Sequence, residues 1–169
     1  AKTVPDSEKE GILTALPKSE GAVTDTDNIR PITVGTAVNR LIHKILARRL
    51  SSTIASHDKL KSQFAFVPGR DIHEPISTAI ECYRDSEIHK KDCFAIYYDI
   101  SKAYDSIRWS TIRSALHRIG APQAFIDFVL NSLEGTTTAA RTNKPGHITP
   151  SVKMSKGIRQ GCPLAPLLF

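Results

Sequence analysis

The most regular hydrophobic pattern in the chain covers residues 36–55. Val38, Leu41, Ile42, Ile45, Leu46, Leu50 and Ile54 recur there at helical spacing, and Arg40, Lys44 and Arg48 form an i, i+4, i+8 ridge on the opposite side. That pattern predicts an amphipathic helix with one basic face. At 3.6 residues per turn Arg49 falls inside the apolar stripe, so it should be paired or reach a ligand, because a lone buried guanidinium is too costly.

Before this helix, residues 11–17 and 28–34 read as two short strands joined by a polar connection rich in Thr, Asp and Gly, which together predict a hairpin. After it, residues 63–67 form a short apolar run and Pro68-Gly69-Arg70 turns the chain. Residues 74–88 read as a second helix, with Pro75 acceptable in its first turn and Ile76, Ala79, Ile80 and Tyr83 on one face. The β-branched and aromatic run Phe94-Ala95-Ile96-Tyr97-Tyr98 predicts a buried strand ending on Asp99, and Tyr104 and Asp105 follow at the head of a helix-like segment.

Residues 109–119 and 122–133 predict two more helices, divided at Gly120 and restarted by Pro122. Residues 136–142 and 147–154 flank the turn-forming Asn143-Lys144-Pro145-Gly146, which predicts a second hairpin. In Lys156-Gly157-Ile158-Arg159-Gln160-Gly161-Cys162-Pro163-Leu164 two glycines frame a Gln, and a helix starts behind Pro163. The whole reads as an α+β fold without internal repeats.

With 169 residues and 40% hydrophobic content the chain is long enough to bury a sizeable core. Its net charge of +6 (23 Lys and Arg against 17 Asp and Glu) suggests a polyanionic partner, and most of the excess sits in and just after the residue 36–55 helix. Cys82, Cys93 and Cys162 are odd in number and widely spaced, which argues against a disulfide framework and a zinc site and for a reducing, intracellular compartment. The six histidines share no metal-ligand spacing. No run approaches the length of a membrane span. The chain opens on Ala1 without Met and closes on an apolar run, so it is expected to be a piece of a longer protein.

Candidate chemistry rests on a few positions, each with a plainer alternative. A carboxylate such as Asp99 at the end of a buried strand is where sheets deliver ligands, yet Asp there also forms turns and N-caps. Lys18 closes one hairpin arm and Arg30 opens the other, so the two could hold a phosphate-like anion or form a solvated pair. The Arg40, Lys44 and Arg48 ridge could track a nucleic-acid backbone or simply face solvent. Arg70 could meet a nucleic-acid phosphate or stay in its loop. Asp105 reads as a structural cap or acceptor, and Trp109 and Phe125 as core.

Taken in order, four stretches resemble the successive motifs of reverse transcriptases. They are Arg30-Pro31-Ile32-Thr33-Val34 with the basic helix behind it, Gln63-Phe64-Ala65-Phe66-Val67-Pro68-Gly69-Arg70, Tyr98-Asp99-Ile100-Ser101-Lys102-Ala103-Tyr104-Asp105, and Gly157-Ile158-Arg159-Gln160-Gly161-Cys162-Pro163-Leu164-Ala165-Pro166. The third and fourth look most like those of non-LTR, LINE-type retrotransposons. The resemblance covers nearly the whole chain.

What it implies is a right-hand polymerase: fingers over residues 1–92, part of the palm over 93–112, helices and a hairpin over 113–158, and the start of the motif B helix over 159–169. The chain would stop before the motif C hairpin, which carries the remaining metal carboxylates. By the same resemblance Asp99 matches the motif A carboxylate that holds two catalytic Mg²⁺ ions, with Mn²⁺ as a substitute. Tyr104 matches the aromatic steric gate, Gln160 and Gly161 the nucleotide-side residues of motif B, and Lys18 and Arg30 the triphosphate grip. The implied partners are an RNA template, a DNA primer and dNTPs, with no membrane. The implied location is the nucleus, at a chromosomal target site. A site with one of three carboxylates should catalyse little by itself. A non-catalytic nucleic-acid-binding scaffold, or a decayed copy of an element, is the competing expectation, and a group II intron or telomerase relative a weaker one.

Overall fold

Alternating side chains and a polar turn produce the first hairpin: β1 (Glu10–Pro17) and β2 (Ile29–Gly35) pair antiparallel with Gly11 opposite Gly35 and Leu16 opposite Arg30. In this computed structural model residues 3–18, 28–55, 57, 60–142 and 144–169 are described. The hairpin connection over residues 19–27 and Asn143 of the second turn lie outside them.

β3 (Thr137–Ala140) adds to β1 in parallel, with Glu10 opposite Thr137, and β4 (Val152–Lys153) closes the sheet antiparallel to β3. The resulting order is β2-β1-β3-β4. The second expected hairpin is thus present, its ladder extended by an Arg141–Ile148 bridge and by Thr142 N–H donating to His147 O at 3.1 Å.

The helices follow their periodicity: α1 (Ala37–Ala55), α2 (His73–His89), the single turn α3 (Ala103–Ser106), α4 (Trp109–Arg118), α5 (Gln123–Leu133) and the short α6 (Ala165–Leu168). Thr36 Oγ1 accepts from Asn39 N–H at 3.2 Å and so caps the first turn of α1.

The chain divides into two compact units, one of Ala1–Ala47 with Lys102–Phe169 and one of Arg48–Ser101. In the first, α4 and α5 contribute Ile112, Leu116, Ile126, Val129, Leu130 and Leu133 to a core shared with Ile158, Leu164, Ala165 and Leu168. Trp109 and Phe125 are only half-buried at its edge. In the second, α2 has no buried residue, and Leu50 and Ile54 of α1 are buried.

Two expectations fail here, for identifiable reasons. Residues 94–98 are not a buried strand: they carry no ladder, and Phe94 and Tyr98 are each 88% exposed. A strand is a property of a pair of segments, and among the described residues the second unit holds no other strand to pair with. The segment meets α2 through the hydroxyls of Tyr97 and Tyr83, 3.1 Å apart.

Second, the buried edge of α1 is set by Asn39, His43, Leu50 and Ile54, while Val38, Leu41 and Ile45 stand exposed. The helix is rotated because Asn39 and His43 find partners inside the first unit, where Asn39 Nδ2 donates to Glu8 O and His43 meets Cys162. Arg49 consequently lies exposed, outside the buried edge, and needs no buried partner.

Candidate active site

Residues 159–162 are held at both ends and in the middle, all by the first unit. In the middle, Thr33 N–H of β2 donates to Gln160 O at 2.7 Å. Next to it Gly161 adopts φ +108°, and a Cβ there would stand 2.9 Å from Thr33 O. The close approach that a missing Cβ permits is therefore to the backbone of β2. Gly161→Ala is expected to lower stability by about 1–3 kcal/mol, through both the clash and the left-handed backbone. Thermal melting of the full protein carrying this chain reads it, and an unchanged midpoint would contradict this packing.

At one end, Arg159 runs under the sheet. Its guanidinium donates to the carbonyls of Glu10 at 3.3 Å and Thr137 at 2.8 Å, and to that of Lys9. Room for it comes from Gly11, where a Cβ would fall 3.0 Å from Arg159 Cζ. Burial lowers the Arg159 pKa from its ordinary value.

At the other end, Cys162 Sγ lies 3.0 Å from His43 Nδ1 on α1. Burial, and then the charge of Arg159, hold the His43 pKa at about 4, so its ring is neutral at pH 7. Burial raises the Cys162 thiol, partly offset by backbone N–H bonds from Leu164 and Ala165. A protonated thiol facing a neutral imidazole assigns the bond: S–H donates to Nδ1, and the ring proton sits on Nε2.

The Tyr104 segment closes on the same region. Ile158 N–H donates to Tyr104 O at 2.8 Å, Gly157 N–H to Ile107 O at 2.8 Å, and Trp109 Nε1 to Gly157 O at 2.8 Å. Ile158 is fully buried between these contacts, and burying such a side chain contributes about 2 kcal/mol. The half-buried Tyr104 ring lies 5.6 Å from that of Phe169. Asp105 sits inside α3, its N–H bonded to Lys102 O at 3.0 Å, rather than capping a helix with its side chain.

On the hairpin, Lys18 N–H donates to Asn28 O at 3.0 Å, which continues the β1–β2 register by one position past the Pro17–Ile29 pair. With Leu16 opposite Arg30, Lys18 and Arg30 become diagonal neighbours on one face, and both are exposed. Two cations so placed can share one anion.

Arg40, Lys44 and Arg48 are exposed along α1, as the ridge requires. Arg70 is engaged in its own loop, where it donates to Lys61 O at 2.7 Å, pairs with Glu74 at 3.1 Å and stacks 4.6 Å over the Phe64 ring.

Asp99 belongs to the second unit and is exposed, without a strand before it. Its oxygens are the donor type a hard divalent cation takes, but one carboxylate does not make a coordination shell. Among the described residues no three acidic, His or Cys side chains gather as a metal site.

Arg159, His43 and Thr33 were not evident as site residues from the sequence pattern. A signal for Arg159 was present in Gly11 and Gly35: isolated glycines inside strands mark a close approach by another group. His43 carried none, since a lone polar residue on a helix is ordinary.

A family model described as reverse transcriptase (RNA-dependent DNA polymerase) matches residues 16–169. The chain is 32% identical over 157 residues to the retrovirus-related Pol polyprotein from type-1 retrotransposable element R2 of Popillia japonica, covering 92% of this chain and 21% of that protein. It is 33% identical over 154 residues to the Pol polyprotein from type-2 retrotransposable element R2DM of Drosophila melanogaster, covering 91% and 14%. A 149 kDa protein of transposon TX1 from Xenopus laevis is 22% identical over 166 residues, 98% of this chain and 12% of that protein. The chain thus spans about a fifth or less of these curated relatives. No helix among the described residues is long and apolar enough to cross a membrane.

Proposed function

Because the chain belongs to the reverse transcriptase family, we propose that it is the nucleotide-gripping part of an RNA-directed DNA polymerase of a non-LTR retrotransposon. The observation that carries the reading is the junction of two motif stretches: Tyr104 and Ile158 share a backbone hydrogen bond of 2.8 Å, two residues before Gln160. A sugar gate and a nucleotide floor belong to one pocket, and this junction ties their backbones together.

In this reading residues 1–92 are fingers, 93–112 the first part of the palm, 113–158 the connection and 159–169 the start of the motif B helix. Lys18 and Arg30 neutralise the triphosphate as paired cations. Tyr104 places its ring where a ribose 2′-hydroxyl would go. Gln160 and Gly161 line the floor under the base and sugar. Arg40, Lys44 and Arg48 contact the phosphates of template or RNA, while Arg70 first braces its own loop. Asp99 would hold divalent cations, Mg²⁺ or Mn²⁺, together with carboxylates from outside this chain. Such cations, when bound, activate the primer 3′-hydroxyl and stabilise the departing pyrophosphate. Template RNA, a DNA primer and dNTPs are the partners, and the nucleus is the site of action of an active element.

Sugar selection tests this reading. In the polymerase carrying this chain, Tyr104→Ala and Tyr104→Val are expected to reduce the preference for dNTP over rNTP in primer extension by about tenfold or more, which is ~1.4 kcal/mol of discrimination. Unchanged discrimination in both variants would remove the gate role and with it the pocket.

A further inference from the structure

Arg159 is a half-buried cation that no carboxylate among the described residues pairs with. Its acceptors are instead three backbone carbonyls, those of Lys9, Glu10 and Thr137. Glu10 and Thr137 are the first register pair of the parallel β1–β3 ladder, so one guanidinium spans two strands where they first meet. The guanidinium does this from two nitrogens held apart in a rigid fork, whereas an ammonium would have to offer its three donors from a single point.

The fold clears space for it, since any side chain at Gly11 would meet Arg159 at 3.0–3.1 Å and one at Gly35 at 3.5 Å. Its Nε is buried without a hydrogen-bond partner, so the side chain is held wholly by its distal edge. The residue that follows is Gln160, whose carbonyl is fixed on Thr33. Sheet carbonyls on one side and β2 on the other therefore define the height and rotation of residues 160 and 161.

We propose that Arg159 is a positioning residue for the incoming nucleotide, its fork on the Lys9, Glu10 and Thr137 carbonyls setting the place of Gln160 and Gly161 in the pocket. This rests on the nucleotide role given above to those two residues. Arg159 touches no substrate; it acts through its neighbours. Removing it frees the floor to shift, which weakens dNTP binding more than it slows the bond-forming step.

The test uses the full polymerase carrying this chain, with Arg159→Ala and Arg159→Lys, in primer extension with and without millimolar methylguanidinium. Arg159→Ala is expected to raise the KM for dNTP about tenfold while kcat falls less than about threefold. Methylguanidinium, which has the shape of the removed fork, is expected to recover at least half of that change in the Ala variant and to do nothing for the wild type. Arg159→Lys keeps the charge and the stem and is expected to remain raised in KM by about threefold or more. A purely architectural role would lower the active fraction, giving reduced kcat, unchanged KM and no rescue, and that pattern overturns the proposal. Should the Ala variant fail to fold, an unchanged KM in the Lys variant overturns it equally. A wild type that extends primers while Arg159 variants keep their KM sinks this inference alone. A wild type that extends none sinks the functional reading and this inference with it.

Discussion

Asp99→Asn in the full protein carrying this chain is expected to lower RNA-templated nucleotide incorporation by about three orders of magnitude or more, equivalent to ~4 kcal/mol of barrier. The amide has the shape of the carboxylate but lacks the charge that hard divalent cations require of their oxygen ligands. Folding should not confound the result. Asp99 is exposed and no hydrogen bond or ion pair to another described residue engages it, so the substitution should move stability by less than about 0.5 kcal/mol. Asp105→Asn is the internal control: it removes a carboxylate six positions along the chain that the structure places inside α3, and its effect on incorporation is expected to stay within about threefold. Rates measured at matched melting temperature decide it. Comparable losses at both positions would make the effect one of general charge, and retained activity in Asp99→Asn would remove Asp99 from the chemistry.

Acidification is expected to unfasten the other end of the pocket. His43 is held at about 4 in the folded chain against an ordinary 6.5, first by burial and then by the charge of Arg159. Between those two values the unfolded chain binds a proton that the folded chain refuses, so stability rises with pH across the window. The contribution is complete above pH 6.5 and disappears as pH falls toward 4, a change of order 3 kcal/mol. The groups that face the ring are the Cys162 thiol at 3.0 Å and the Arg159 guanidinium, and neither gains a proton in this range. Carboxylates elsewhere titrate there as well, so the measurement is a difference. Urea midpoints of wild type and His43→Asn, compared at pH 7 and pH 4.5, should converge as pH falls. Parallel pH profiles for the two proteins would contradict the buried neutral imidazole.

Much of this fold was legible in the sequence, because much of it is local. The α4 and α5 periodicities and the Gly120 break depend on residues within a few positions of each other, each hairpin on two arms joined by a single connection, and they stand where the pattern placed them. The failures were non-local. Residues 94–98 have the composition of a strand but no neighbouring strand among the described residues of their unit. The buried edge of α1 was misread because Asn39 and His43 are polar by type, and only the folded chain supplies the Glu8 carbonyl and the Cys162 thiol that make their burial favourable.

For the proposed site, the motif order pointed to Tyr104, Gln160 and Gly161, and the backbones of the two stretches that hold them are joined by the Ile158–Tyr104 hydrogen bond. Arg159 stood in plain sight between them. Its contacts are to carbonyls 150, 149 and 22 positions away, which no local pattern reveals. Gly161 also serves the fold, since its bare Cα accommodates Thr33 O.

The measurement that bears most directly on the central claim is primer extension on an RNA template by the full protein carrying this chain, supplied with Mg²⁺ and dNTPs and followed to sequenced product. The account predicts DNA complementary to the RNA, dependent on the divalent cation and absent with Asp99→Asn. Tight RNA binding by folded protein with no extension of the primer would contradict it, and would leave the chain as a nucleic-acid-binding scaffold.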